Sequence, residues 1–179
     1  MNNDLLILGA GQLGTMAKEI AENMGCFGKI DFLDDSSDTA IGKLNDYERF
    51  AQQYNYGIVA IGNAEMRLNF IQKLKEACYR VAILVSPKAY VSPSAQILSG
   101  TIIEPMATLQ ANSTVCIGCI ISSGAVVRHN SFVGDGCHCD CNSVVMTGAI
   151  VPAKTKVLCG EIYSVEKSVC DLKREFNNV

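Results

Sequence analysis

From Ala89 to Gly160 the chain reads AYVSPS AQILSG TIIEPM ATLQAN STVCIG CIISSG AVVRHN SFVGDG CHCDCN SVVMTG AIVPAK TKVLCG, twelve consecutive blocks of six with no insertion. The third position is Val, Ile or Leu in every block except for Cys139, and the first is always Ala, Ser, Thr or Cys. A plain strand alternates residue by residue, and an α-helix repeats roughly every 3.6 residues, so neither yields a strict period of six. A parallel β-helix with three flat faces does. Each face needs one large apolar side chain to fill the axis, and two residues earlier, near the corner, only a small side chain fits. Three blocks make one triangular coil, so this stretch predicts about four stacked coils around an aliphatic column.

The grammar changes at Ser86-Pro87-Lys88. Before it, strand and helix signals alternate. The apolar runs Leu5–Leu8, Ile30–Leu33, Ile58–Ile61 and Val81–Val85 predict four strands. Helical spacing of Leu13, Met16, Ala17, Ile20, Ala21 and Met24 predicts a helix over Gln12–Met24. Leu68, Ile71 and Leu74 predict another over Glu65–Cys78, and a shorter one is expected over Asp46–Gln53. Such alternation implies a parallel sheet covered on both faces. The predicted organisation is an α/β, Rossmann-like domain over residues 1–86, a β-helix over 87–160 and a strand and helix cap over 161–179. A terminal helix over Lys167–Phe176 would close the open end of the β-helix, where strand edges would otherwise be bare.

Composition narrows the function classes. Of 179 residues, 49% are apolar and 18% charged, enough for a sizeable core and against disorder. The net charge of -3 and the absence of a Lys/Arg cluster imply no nucleic-acid partner. No apolar run approaches the roughly 18 residues of a membrane span. Met1-Asn2-Asn3-Asp4 lacks a basic leader region, so a cytoplasmic protein with no membrane partner is expected. The nine cysteines then read as reduced thiols, and an odd count fits no complete disulfide framework. Cys137-His138-Cys139-Asp140-Cys141 resembles a metal cluster, but the six-residue frame turns Cys137 and Cys139 inward and Cys141 to a corner. Ligands that diverge hold no zinc, so no metal is expected.

Gly9, Gly11 and Gly14 form G-x-G-x-x-G between the first strand and the first helix, and Asp34 follows Gly14 by twenty residues. Glycines there permit a tight turn and the close approach of a diphosphate to backbone N–H groups at the helix N-terminus. The same spacing suits NAD, with the acid on a ribose. The segment before the hexads has room for one mononucleotide half rather than two, which favours a nucleotide-sugar; NAD and a packing turn without ligand stay open.

The hexads resemble those of the left-handed β-helix acyltransferases. The whole chain is similar to sugar O- and N-acyltransferases of the sialic acid O-acetyltransferase and bacillosamine N-acetyltransferase type. The resemblance rests on Gly9-Ala10-Gly11-Gln12-Leu13-Gly14, Leu33-Asp34-Asp35, Ala60-Ile61-Gly62-Asn63 with Arg67, Ser86-Pro87-Lys88-Ala89 and Val127-Arg128-His129-Asn130. It implies a homotrimer that takes acetyl-CoA and a sugar or nucleotide-sugar, with catalysis between adjacent β-helices. It implies substrate contacts from Gly11, Gln12, Leu13, Asp34, Asp35 and Gly62. It also implies that His129 is the general base and that His138, nine residues later, places the acetyl-CoA thioester. Neutral imidazole suits proton removal near pH 7, and these are the only two histidines of the chain. Asn130, beside the base in the catalytic pair His129 and Asn130, stands where the bacillosamine-type enzymes carry a glutamate. That departure turns the expectation toward O-transfer or an altered enzyme. The repeat is expected to stop at Gly160, short of the further coils usual in the family. A catalytically degenerate nucleotide-sugar-binding or scaffold trimer, and an NAD-binding protein, are the alternatives.

Overall fold

A computed structural model describes residues 3–164. The first sheet is built from β1 (Leu5–Leu8), β2 (Ile30–Leu33), β3 (Tyr56–Val59) and β4 (Arg80–Val81), all parallel in the order β2-β1-β3-β4. Every residue of β1 is buried because both faces are covered. Leu5 and Ile7 pack with Ala17, Ile20 and Ala21 of α1 (Gln12–Met24). Leu6 and Leu8 point the other way, toward Phe70, Ile71 and Leu74 of the helix Ala64–Glu76. Alternate side chains on opposite faces, each with a helix to meet, explain why this strand reads as an unbroken apolar run. A turn of 3-10 helix at Leu44–Asp46 leads into α2 (Tyr47–Phe50), shorter than the helix expected over Asp46–Gln53, and Ala64–Glu76 is α3. Asn63 caps α3 by accepting from the Met66 N–H at 2.9 Å.

The β-helix follows as three parallel sheets of four, five and five two-residue strands. Thr114 pairs with Gln96, Ile120 with Ile102 and Val126 with Thr108, each eighteen residues earlier, so one coil is three hexads. Third-position side chains from Ile103 to Val157 fill the axis together with first-position Ala107, Cys119, Ala125, Cys137 and Ala149. This is the left-handed β-helix that the hexads implied. The sixth position of nearly every hexad is the corner residue, at positive φ: Gly100, Met106, Asn112, Gly118, Gly124, Asn130, Gly136, Asn142, Gly148, Lys154 and Gly160. Gly and Asn tolerate that conformation best, which accounts for the composition of the sixth column.

Three expectations need correction. The run Val81–Val85 is not one strand: Arg80–Val81 completes the first sheet, whereas Leu84–Val85 pairs with Ile102–Ile103 as the first rung of the β-helix. Val81, Ala82, Leu84 and Val85 are apolar across the break, so hydropathy alone runs the two pieces together. At the other end the repeat does not stop at Gly160: Ile162–Tyr163 pairs with Val144–Val145 and adds a rung. Glu161 is not small and Tyr163 is not aliphatic, so the hexad rule misses it although the pairing is retained. The third strand ends at Val59 rather than Ile61, which leaves Ala60-Ile61-Gly62-Asn63 as the loop into α3. The helix expected over Lys167–Phe176 lies outside the described residues.

The two domains share a core. Leu84 and Ile102, outward-facing on the first sheet of the β-helix, are fully buried against the α/β side with Leu5, Ile7 and Ile20. Gly100, Gly118 and Gly136 stack at one corner beneath α3, where Ile71 and Leu68 leave no room for a Cβ. Arg67 of α3 is wholly buried and donates Nε to the Gly118 carbonyl (2.6 Å) and Nη2 to the Gly136 carbonyl (2.8 Å). Its Nη1 reaches the carbonyls of Ile61 (2.7 Å) and Gly62 (2.9 Å). Burial lowers its pKa, with the nearby thiols of Cys119 and Cys137 opposing.

Candidate active site

The carboxyl ends of β1 and β3 bracket the point where the chain leaves the sheet in opposite directions, the place where open α/β sheets present a crevice. Gly9 turns the chain there at φ 106°, and a Cβ on it would lie 2.6 Å from the Ala60 carbonyl oxygen. Gly14 packs directly on the Gly9 carbonyl, so the third glycine serves helix–strand contact. Gly11, by contrast, is exposed, has open space where a Cβ would be, and caps α1 with no side chain of its own. Gln12 is exposed beside it, and Leu13 is partly buried against the core. Gly62 is likewise exposed and open.

Asp34 is less free than its spacing suggests. Its carboxylate accepts from the N–H groups of Ala10 (2.8 Å), Ser36 (2.8 Å) and Ser37 (3.1 Å). Those backbone donors hold its pKa below the usual carboxylate value. The residue thus ties the glycine loop to the turn after β2. Asp35, exposed, accepts from the Leu44 N–H at 3.1 Å and lines the same end of the sheet.

His129 stands at the fifth position of its hexad, half-buried, just before the Asn130 corner. Its backbone N–H and its ring Nδ1 both meet Gln110 Oε1, at 3.2 and 3.3 Å. Asn130 is turned elsewhere: its Oδ1 accepts from Asn112 Nδ2 at 3.3 Å, one coil back, in a ladder along that corner. The side chain found on the His129 ring is therefore Gln110, from the fourth position of the previous coil.

His138 belongs to another face, in the strand His138–Cys139. Its Nε2 lies 3.0 Å from Ser122 Oγ and 3.9 Å from Asp140 Oδ1. Asp140 in turn pairs with Lys156 at 3.0 Å. Burial lowers the His138 pKa, Asp140 opposing, so the ring is neutral at pH 7. Behind Ser122 lies Glu104, a buried carboxylate 4% exposed. Within one chain no hydrogen bond joins the two histidines among the described residues. Cys137 and Cys139 point inward and are wholly buried, and Cys139 is pushed up to about 12 by burial.

Sequence inspection by single hexads misses Gln110, Glu104 and Ser122 as partners of the histidines, and Arg67, named only within the resemblance, is not marked as a buried link. The signal exists at the coil period. Glu104, Ser122 and Asp140 occupy the fourth position at intervals of eighteen residues, a polar column on one face beside His138.

A small parallel α/β domain joined to a left-handed β-helix, with a glycine crevice in the first and two outward histidines on the second, defines the architectural class. Residues 4–74 match the family model of the PglD N-terminal domain. The acetyltransferase domain of PglB from Neisseria gonorrhoeae shares the fold over 92% of this chain and 93% of that one, with a TM-score of 0.73 and 22% identity. Perosamine N-acetyltransferase from Caulobacter crescentus, solved with CoA and GDP-perosamine, matches over 90% and 91% with a TM-score of 0.69 and 18% identity. WeeI from Acinetobacter baumannii matches over 90% and 94%, with a TM-score of 0.54 and 16% identity. Among the described residues no helix is long and apolar enough to cross a membrane.

Proposed function

We propose that this chain is an acetyl-CoA-dependent acyltransferase that modifies an amino or hydroxyl group of a nucleotide-linked sugar. The observation that carries the reading is the contact between His129 Nδ1 and Gln110 Oε1. An amide oxygen that already accepts the His129 backbone N–H requires a second donor at Nδ1, so the neutral ring keeps its lone pair on Nε2. That nitrogen is then free to act as a general base. It takes the proton from the acceptor N–H or O–H while the acceptor attacks the thioester carbonyl. The C–S bond then breaks, and the CoA thiolate leaves and takes up a proton.

The helix start at Gly11, Gln12 and Leu13, exposed at its first two residues, with Gly62 opposite and Asp35 at the rim, offers backbone donors to the phosphates of a sugar nucleotide. Asp34 supports that loop from beneath. The donors already on Asp34 speak against its use on an NAD ribose. His138 contributes to the acetyl-CoA site, and Asn130 holds the corner that presents the base. The two histidines face outward from different sheets, so a second subunit is needed to complete one site. Tyr90 and Ile162, 60% and 64% exposed on one sheet, with Thr108, Val126 and Val144 between them, offer a largely apolar surface for such a partner in a trimer.

Replacement His129→Ala is expected to lower transfer by about 10²–10⁴-fold while melting temperature and assembly state stay unchanged. Transfer at the parental rate by that variant would refute the assignment. A thermal-shift panel with acetyl-CoA, UDP-sugars, CMP-sialic acid and NAD separates the rivals, because ligands that bind the native state raise its melting point. Stabilisation by acetyl-CoA and a sugar nucleotide is expected; a sugar nucleotide alone would mean a binding protein, and NAD alone a dinucleotide site.

A further inference from the structure

The polar column beside His138 contains more than that site requires. Glu104 Oε2 accepts from the Ser123 N–H at 2.8 Å and from the Ser123 hydroxyl at 3.1 Å. Its other oxygen, Oε1, accepts from the Ser122 hydroxyl at 3.2 Å. A carboxylate can only accept, so the single hydroxyl hydrogen of Ser122 points at Glu104. Ser122 Oγ then faces His138 Nε2, 3.0 Å away, with a lone pair. The proton on that contact must come from the ring. A buried carboxylate oxygen left without its donor is unfavourable, which keeps this chain of hydrogen bonds oriented one way.

We infer that Glu104, acting through Ser122, holds His138 in the Nε2–H tautomer, opposite to the Nδ1–H tautomer that Gln110 imposes on His129. Glu104 and Ser122 are positioning residues. The consequence is chemical. Neutral His138 offers Nδ1 as a hydrogen-bond acceptor, and Nδ1 has no partner among the described residues. It is therefore built to receive an N–H from a ligand, such as an amide of the acyl carrier's pantetheine arm, rather than to donate to a thioester oxygen. The identity of that ligand rests on the acyltransferase reading; the tautomer does not.

The relay makes an unusual demand on the isosteric change Glu104→Gln. The backbone N–H of Ser123 requires an oxygen at the Oε2 place, so the amide nitrogen takes the place of Oε1. That nitrogen donates to Ser122 Oγ, whose hydrogen must then turn to His138 Nε2. The ring is forced into Nδ1–H. A small change two hydrogen bonds away thus inverts the tautomer.

The full chain, labelled with nitrogen-15 histidine, tests this directly, because only two imidazoles are present. Long-range proton–nitrogen correlation spectra at neutral pH should show one ring in each tautomer, assigned by losing each histidine in turn. Glu104→Gln should convert His138 to Nδ1–H, and Ser122→Ala, a milder change should the first not fold, should leave a mixture of both forms. The KM for acetyl-CoA should rise roughly 2- to 10-fold in Glu104→Gln, with the KM for the acceptor unchanged. An Nδ1–H pattern for His138 in the parent protein would overturn the proposal, as would an unchanged pattern in a folded Glu104→Gln or Ser122→Ala variant. Should the parent protein transfer no acyl group, the spectra still decide the tautomers, so failure of the enzyme reading and failure of the relay are told apart.

Discussion

At the scale of single residues, the environment of His138 makes a prediction about pH. Burial disfavours its charged form, and Asp140 only partly compensates, so its pKa lies below the ordinary 6.5. The unfolded chain has no such penalty and takes up a proton as the pH falls past that value. Native His138 resists until the pH drops through its own lower pKa, so stability is lost across this interval. Melting temperatures measured from about pH 7.5 down to about pH 5 should fall in the parent protein and fall less in His138→Gln. Equal slopes would mean the ring is better solvated than its surroundings imply. The residue scale is also where sequence inspection is weakest. Both histidines are visible as the only two, and Asn130 stands out beside one of them. Their partners come from earlier coils, nineteen residues back for Gln110 and sixteen back for Ser122, a separation that no local motif reveals. Arg67 shows the same limit: nothing about an arginine on an amphipathic helix announces that it is wholly buried.

Among elements, the hexads were nearly self-explanatory because one physical requirement repeats. An aliphatic residue fills the axis, a small one clears the corner, and a residue tolerant of positive φ turns it. The rule fails where a different requirement intrudes, as at Leu84–Val85, where the domain contact adds burial, and at Tyr163, where an aromatic side chain packs on the axial column in place of an aliphatic one. The sixth column can be tested by comparing two glycines with the same backbone. Gly118 has φ 65° and a Cβ there would lie 2.7 Å from buried Ile71 Cδ1 and 3.1 Å from Leu68. Gly148 has φ 69° and open space. Gly148→Ala should cost only the left-handed backbone penalty, about 1 kcal/mol. Gly118→Ala should cost about 2–3 kcal/mol, because the packed Ile71 and Leu68 side chains must move as well. Chemical denaturation of the two variants measures the difference. Equal costs would mean that α3 packs more loosely on this corner than the contacts indicate.

Across the whole molecule, the question is what makes two domains with different grammars act as one. Beside the exposed ion pair of Glu65 with Lys154, two kinds of buried coupling are present. Leu84 and Ile102 carry apolar packing from the β-helix into the core of the α/β sheet. Arg67 carries polar contact, joining the Ile61–Gly62 loop at the crevice to the stacked corners Gly118 and Gly136. The guanidinium is suited to this because its fixed fork of donors reaches carbonyls in both domains at once. The β-helix has an axial core of its own, so it can outlast the α/β domain if the coupling is weakened. Arg67→Met retains most of the buried volume but leaves carbonyl groups without donors, at about 1–3 kcal/mol for each that stays dry. The expected result is a lower melting temperature and a denaturation curve that separates into two transitions, the α/β domain first. The same variant should weaken sugar-nucleotide binding, because the Gly62 loop loses its anchor, while acetyl-CoA binding on the β-helix is spared. Calorimetric titration with each ligand distinguishes that pattern from general unfolding, in which both affinities would fall together.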